Sequence, residues 1–168
     1  MLRRLAAAAC VLAALALSSC SSTVHIEPAK DANDPLCAEV TVRLPNALAD
    51  QDRRWTDAQA TGAWAAQGST DSTTIVSCGV EVPGPTSQLQ CISIEGVDWL
   101  VDPAKEPWMR MTTYGRDPAV QVFVNTKVVN GNAVLSNRSL VTAVQKIPVD
   151  RKCIAPDKLP DGYEAPKG

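Results

Sequence analysis

Cysteine is the residue type in this chain with the most chemistry to offer. Leu17-Ser18-Ser19-Cys20 places a branched apolar residue, two small residues and a thiol in a row. The thiol of Cys20 is a nucleophile that can be alkylated to a thioether. Cys10 is a weaker candidate, since Ala7 stands where a branched residue is needed. Four further cysteines follow at Cys37, Cys78, Cys91 and Cys153. An even number in an oxidising compartment reads as a disulfide framework. Four cysteines allow three pairings. The favoured one joins Cys78 to Cys91 across a turn-rich segment, stabilising by about 3 kcal/mol on chain-entropy grounds, and Cys37 to Cys153. Zinc needs thiolates in close pairs, and that spacing is missing, so no metal is expected.

The segment before Cys20 explains how such a thiol would be reached. Arg3 and Arg4 precede thirteen uncharged residues, Leu5 to Leu17. A positive start, a short apolar run and small residues at a cleavage point define a signal peptide. A permanent span needs about 20 apolar residues, so this run is too short for one. Residues 17–20 resemble the bacterial lipobox, which implies export, acylation on Cys20 of the palmitate type, and lipid anchoring to the cell membrane. Two acyl chains suffice for stable anchoring.

Other reactive constellations are thin. His25 is the single histidine, and it lies close to the leader. The rest of the mature chain therefore has no Ser-His-Asp or Cys-His nucleophile and no histidine-ligated metal. Glycine loops that cradle phosphate are absent. Glu95, Asp98 and Asp102 are near one another in sequence and could supply the two carboxylates of a glycosidase. Asp98 and Arg116 each end a strand-like run beside an aromatic, Trp99 and Tyr114. They are read either as an ion pair that locks two loops or as the polar anchors of a recognition site. Asp98, Trp99, Tyr114 and Arg116 are thus the candidate recognition residues. Trp55, Trp64, Trp99 and Trp108 are expected mostly in the core, because the chain has one phenylalanine.

Loss of Arg3 and Arg4 leaves 14 basic against 18 acidic side chains. That balance argues against nucleic acid as a partner.

The elements that must position these residues follow from pattern. Residues 20–33 are polar and aperiodic, and read as a lipidated N-terminus with a flexible tether. Asp34-Pro35 opens a helix, with a capping side chain and a proline where its missing N–H costs nothing. Residues 57–68 are alanine-rich and fit a short helix or an irregular turn. Strands are expected at 73–80, 89–95, 108–114 and 119–125, the last with Val120, Val122 and Val124 on one face. A helix is expected at 133–146, with Leu140, Val144 and Ile147 inward. The reading is an α+β domain over 34–155: an antiparallel sheet of about four strands, an N-terminal and a C-terminal helix packed on it, and disulfide staples. Residues 1–19 are the leader and 156–168 a loose tail.

Three motifs then combine: Cys78-Gly79-Val80, Gly96-Val97-Asp98-Trp99-Leu100 and Thr113-Tyr114-Gly115-Arg116. In this order they resemble the actinobacterial lipoproteins and secreted proteins grouped as domain of unknown function 3515, over roughly residues 32–146. The resemblance implies a high-GC Gram-positive source and an extracytoplasmic place, and no activity, cofactor or catalytic residue. The expected function is a non-catalytic binding or structural module of the cell envelope, meeting an envelope protein or glycan. The alternatives are a carboxylate-dependent envelope glycan hydrolase and a lipid or small-molecule carrier.

Overall fold

The computed structural model describes residues 23–154. The leader, Cys20 and the tail from residue 156 lie outside the described residues. Eight strands form one sheet: β1 Ala47–Leu48, β2 Gln51–Arg54, β3 Thr61–Ala66, β4 Thr74–Val80, β5 Gln90–Ile94, β6 Val97–Lys105, β7 Trp108–Thr113 and β8 Ala119–Asn125. Their order is β1-β2-β3-β4-β8-β7-β6-β5, and every neighbouring pair is antiparallel. Two meanders, β1 to β4 and β5 to β8, therefore meet at the central β4–β8 pair. The helices are short: α1 Pro35–Thr41, α2 Gly131–Leu135 and α3 Arg138–Val144.

This corrects the expected α+β class. The domain is predominantly β, with twice the strands expected. Three local causes account for the difference. Ala49 and Asp50 both take positive φ, 48° and 61°, and close β1 onto β2 as a two-residue hairpin without the usual glycine or asparagine signal. The alanine-rich stretch becomes β3 because its small side chains let the sheet be covered on both faces. Ala63 and Ala65 are buried on one face, and Trp64 is fully buried on the other. Packing here outweighs alanine's helical preference. The expected C-terminal helix is broken near its middle, where the Asn137 side chain accepts from the N–H groups of Ser139 and Leu140 and starts α3 afresh.

One face of the sheet carries the core. Register aligns Trp64, Thr74, Val124 and Met109 in one row across four strands, and Val76, Val122, Met111 and Val101 in the next. Leu140, Val144 and Ile147, the stripe expected to face inward, are fully buried beside this face. At the other end, Asp34 caps α1 through Leu36 N–H at 2.7 Å, and Cys37 and Val40 enter the core.

All four described cysteines are bridged, but not as favoured. The pairs are Cys37–Cys78, with Cα atoms 5.4 Å apart, and Cys91–Cys153, at 5.8 Å. Sheet order rules out a Cys78–Cys91 bond. β4 and β5 lie four strand spacings apart, about 19 Å at the usual separation. Their side chains also point to opposite faces, since Cys78 aligns with Val120 on the core face whereas Cys91 aligns with Leu100 on the outer one.

The expected tether is also corrected for residues 23–33, which lie along the domain. Val24 bridges Thr56 in parallel, and its N–H reaches the Trp55 carbonyl at 2.8 Å. Further on, Asp31 N–H donates to the Gly79 carbonyl at 3.0 Å, and Ala32 is buried. Gly79 permits this crossing: a Cβ built on it would lie 2.3 Å from the Asp31 carbonyl carbon.

Candidate functional site

Of the four residues singled out for recognition, Asp98 and Arg116 hold the chain's own C-terminal segment, residues 147–153. Asp98 Oδ2 accepts the Cys153 N–H at 2.7 Å, and the Asp98 carbonyl accepts the Tyr114 N–H at 2.8 Å. Arg116 donates to the Ile147 carbonyl and pairs with Val149 as an isolated antiparallel bridge. Asp98, Arg116 and Trp99 are 9 %, 5 % and 0 % exposed, while Tyr114 is half-buried. Burial lowers the Arg116 guanidinium from its usual range, partly opposed by the charge of Asp98. The two side chains do not form a direct ion pair among those within contact distance in the described residues. Gly115 completes the latch, since a Cβ there would sit 2.0 Å from the Arg151 carbonyl oxygen.

The three acidic residues considered for glycoside chemistry are not brought face to face. Asp98 and Asp102 share the outer face of β6 four residues apart, about 13 Å along an antiparallel strand. Carboxyl pairs in glycosidases are separated by about 5 to 9.5 Å. Asp102 meets Arg110 at 3.4 Å, and Glu95 sits in the β5–β6 turn at φ 50°. Among the described residues no group of three or more His, Cys, Asp or Glu side chains could hold a metal ion.

The tryptophans divide sharply. Trp64 and Trp99 are core, and Trp108 stacks on Phe123 with ring centroids 4.7 Å apart. Trp55 is 74 % exposed. It stands just past β2 at a cleft of about 600 Å³, a volume usual for small-molecule sites. The cleft is walled by Thr41 and Asn46 on one side and by residues 52–56 and 58–61 on the other. Its wall is braced from within: Thr61 Oγ1 donates to the Ala58 carbonyl at 2.7 Å and lies 2.9 Å from the Thr56 hydroxyl. Arg53 reaches into the same region from β2. Its guanidinium sits 5.9 Å from the Trp64 ring centroid and donates to the Leu44 carbonyl at 3.1 Å. Sequence reasoning named Trp55 only as one of four tryptophans. The available signal was its setting, Asp52-Arg53-Arg54-Trp55-Thr56-Asp57, in which an indole is flanked by charge on both sides.

A smaller, more apolar recess of about 380 Å³ opens where the sheet runs past α2. Ile92, Val101, Met109 and Met111 line it, with Asn130 and Asn132 also on its wall.

Fold and site together define a disulfide-stapled, antiparallel β domain that holds residues 24–32 and 147–153 against the sheet and has a mixed polar and aromatic cleft beside Trp55. The chain belongs to the family described as protein of unknown function (DUF3515), whose model matches residues 4–149. No match is found among curated proteins or among solved structures.

Proposed function

We propose that this protein is an exported lipoprotein, acylated on Cys20 and held at the outer face of the cell membrane, where it serves as a non-catalytic binding module of the envelope. The leader with its Leu17-Ser18-Ser19-Cys20 ending supports export and anchoring. Two disulfides in a small domain fit an oxidising compartment. The observation that carries the binding role is the cleft beside Trp55, the one tryptophan left in water, next to a guanidinium. Large amphipathic aromatics and arginine are the side chains that most often anchor recognition. An actinobacterial source accords with the motif resemblance.

Hydrogen exchange on the mature chain, with and without solubilised envelope material, tests this reading. Protection is expected over residues 46–61. Release of new reducing ends from the glycan would instead establish a hydrolase. A second reading, a carrier of small apolar molecules, is favoured by the recess lined by Met109 and Met111, and protection confined to β5–β7 and α2 would select it. For the anchor, radiolabelled palmitate is expected on the wild-type chain and not on Cys20→Ser.

A further inference from the structure

The cleft also carries a charge that bears on what it binds, an inference that rests on the binding role just proposed. Arg53 differs from three arginines of the domain that are paired with carboxylates. Arg43 is paired with Glu39, Arg110 with Asp102 and Arg151 with Asp150. Arg53 has no carboxylate within ion-pair distance among the described residues, and its hydrogen bond is to a neutral carbonyl, that of Leu44. Burial alone holds its guanidinium below the usual range, with no acidic neighbour acting to raise it. A guanidinium has five N–H donors in a planar fork that matches carboxylate and phosphate oxygens. Those not used on Leu44 are left for water or for whatever occupies the cleft that Arg53 lines.

Three further features narrow the ligand. The indole of Trp55 offers a flat apolar surface with a polar edge, suited to a ring that is apolar on its face and polar around its rim. Asn46, Thr56 and Gln59 surround it with amide and hydroxyl groups that can both donate and accept. Asp52 adds a carboxylate acceptor for hydroxyl donors. Such a lining suits neither an acyl chain nor a purely aromatic ligand.

We propose that the cleft binds an acidic saccharide, with a sugar ring stacked on Trp55 and its carboxylate or phosphate group paired with Arg53. Uronic acids and phosphosugars share this chemistry.

The test is calorimetric titration of the mature chain, residues 20–168, with trigalacturonate, glucose 6-phosphate, neutral cellotriose and inorganic phosphate. At least one of the two acidic sugars is expected to bind about tenfold or more tighter than cellotriose and to weaken as salt is added. Whichever of the two binds tighter names the anion. Trp55→Ala is expected to weaken the acidic sugar about tenfold. Arg53→Gln should bring it down to the cellotriose level while leaving cellotriose unchanged, and Arg53→Lys should fall between. Because Arg53 also packs on Trp64, Arg53→Lys and Trp55→Ala carry the test if Arg53→Gln fails to fold. Equal affinity for acidic and neutral sugars, lost in Trp55→Ala, would overturn the acidic class and leave the cleft as the binding seat. Inorganic phosphate binding as tightly as glucose 6-phosphate would overturn the saccharide. Sugar binding untouched by Trp55→Ala would remove the site itself.

Discussion

Asp98 and Cys153, 55 residues apart, are joined by a hydrogen bond from the cysteine's backbone N–H to the carboxylate Oδ2 at 2.7 Å. The contact sits beside the Cys91–Cys153 bridge, so the carboxylate and the disulfide hold the same point of the C-terminal segment against the outer face of the sheet. Asp98→Ala removes the acceptor and leaves the Cys153 N–H without it. Hydrogen bonds to charged groups contribute about 1.5 to 3 kcal/mol, and a loss of about 2 kcal/mol is expected in chemical denaturation of the oxidised protein. The Cys91–Cys153 bond should also be reduced faster by dithiothreitol than in wild type, while Cys37–Cys78 keeps its rate. A uniform change at both bridges would show that Asp98 acts on the whole fold instead of on this latch.

The two crossings of the terminal segments depend on missing side chains. Gly79 and Gly115 have φ of 87° and 69° and lie directly beneath the backbone of Asp31 and Arg151. An alanine at either position meets both a strained left-handed backbone and an atom closer than contact allows. Gly68 serves as the control, since its φ is 78° with nothing within 4 Å of a built Cβ. Gly68→Ala should cost about 1 to 2 kcal/mol, the left-handed penalty alone. Gly79→Ala and Gly115→Ala should cost clearly more, with faster hydrogen exchange around residues 31–32 and 150–153 respectively. Three equal losses would show that the segments are not held by these crossings.

Disulfide pairing gives a prediction with a chemical readout. On chain-entropy grounds, closing loops of 41 and 62 residues stabilises by about 4 kcal/mol each. The Cys37→Ser/Cys78→Ser and Cys91→Ser/Cys153→Ser variants should each lose stability of that order. The Cys37→Ser/Cys153→Ser variant keeps Cys78 and Cys91, which the sheet holds strands apart and on opposite faces. It should stay a dithiol when air-oxidised, as counted by alkylation and mass spectrometry. An intramolecular Cys78–Cys91 bond in the folded variant would contradict the strand order.

Which parts of this architecture were legible in the sequence follows from where each signal resides. β4, β5, β7 and β8 were readable because their runs are rich in β-branched residues, and Val120, Val122 and Val124 alternate inward on β8. β6 was hidden by Asp98, Asp102 and Pro103, acidic and ring-constrained residues that strands disfavour. They are accommodated because Asp98 meets Cys153, Asp102 meets Arg110, and the register shifts between Asp102 and Lys105. The disulfides were legible as a set but not as pairs. A short connection from β4 to β5 suggests adjacency, whereas β8, β7 and β6 all come between them. The contacts of Asp98 and Arg116 with residues 147–153 were not legible, because that segment is distant in sequence. Arg53 was not legible at all, because lacking a carboxylate neighbour is a property of the folded surroundings and leaves no mark on residues 52–54.

The N-terminal segment should come loose in acid. Asp57 Oδ1 accepts the Ile26 N–H at 3.0 Å, and Oδ2 contacts His25 Nδ1. The Ile26 hydrogen bond first, and the His25 contact second, hold the Asp57 carboxyl below its ordinary 3.8. The folded state thus binds a proton at this site less readily than the unfolded chain does. The clasp's contribution is fully present above the ordinary aspartate range, and it is lost as pH falls below 3.8 and through the depressed folded value. Hydrogen exchange at Ile26 should accelerate over that acid window before the amides of β4 and β8 do. Asp57→Asn should abolish the pH step at Ile26, because an amide side chain cannot titrate. If Ile26 keeps the same acid-induced opening in Asp57→Asn, a group other than Asp57 fastens this segment to the sheet.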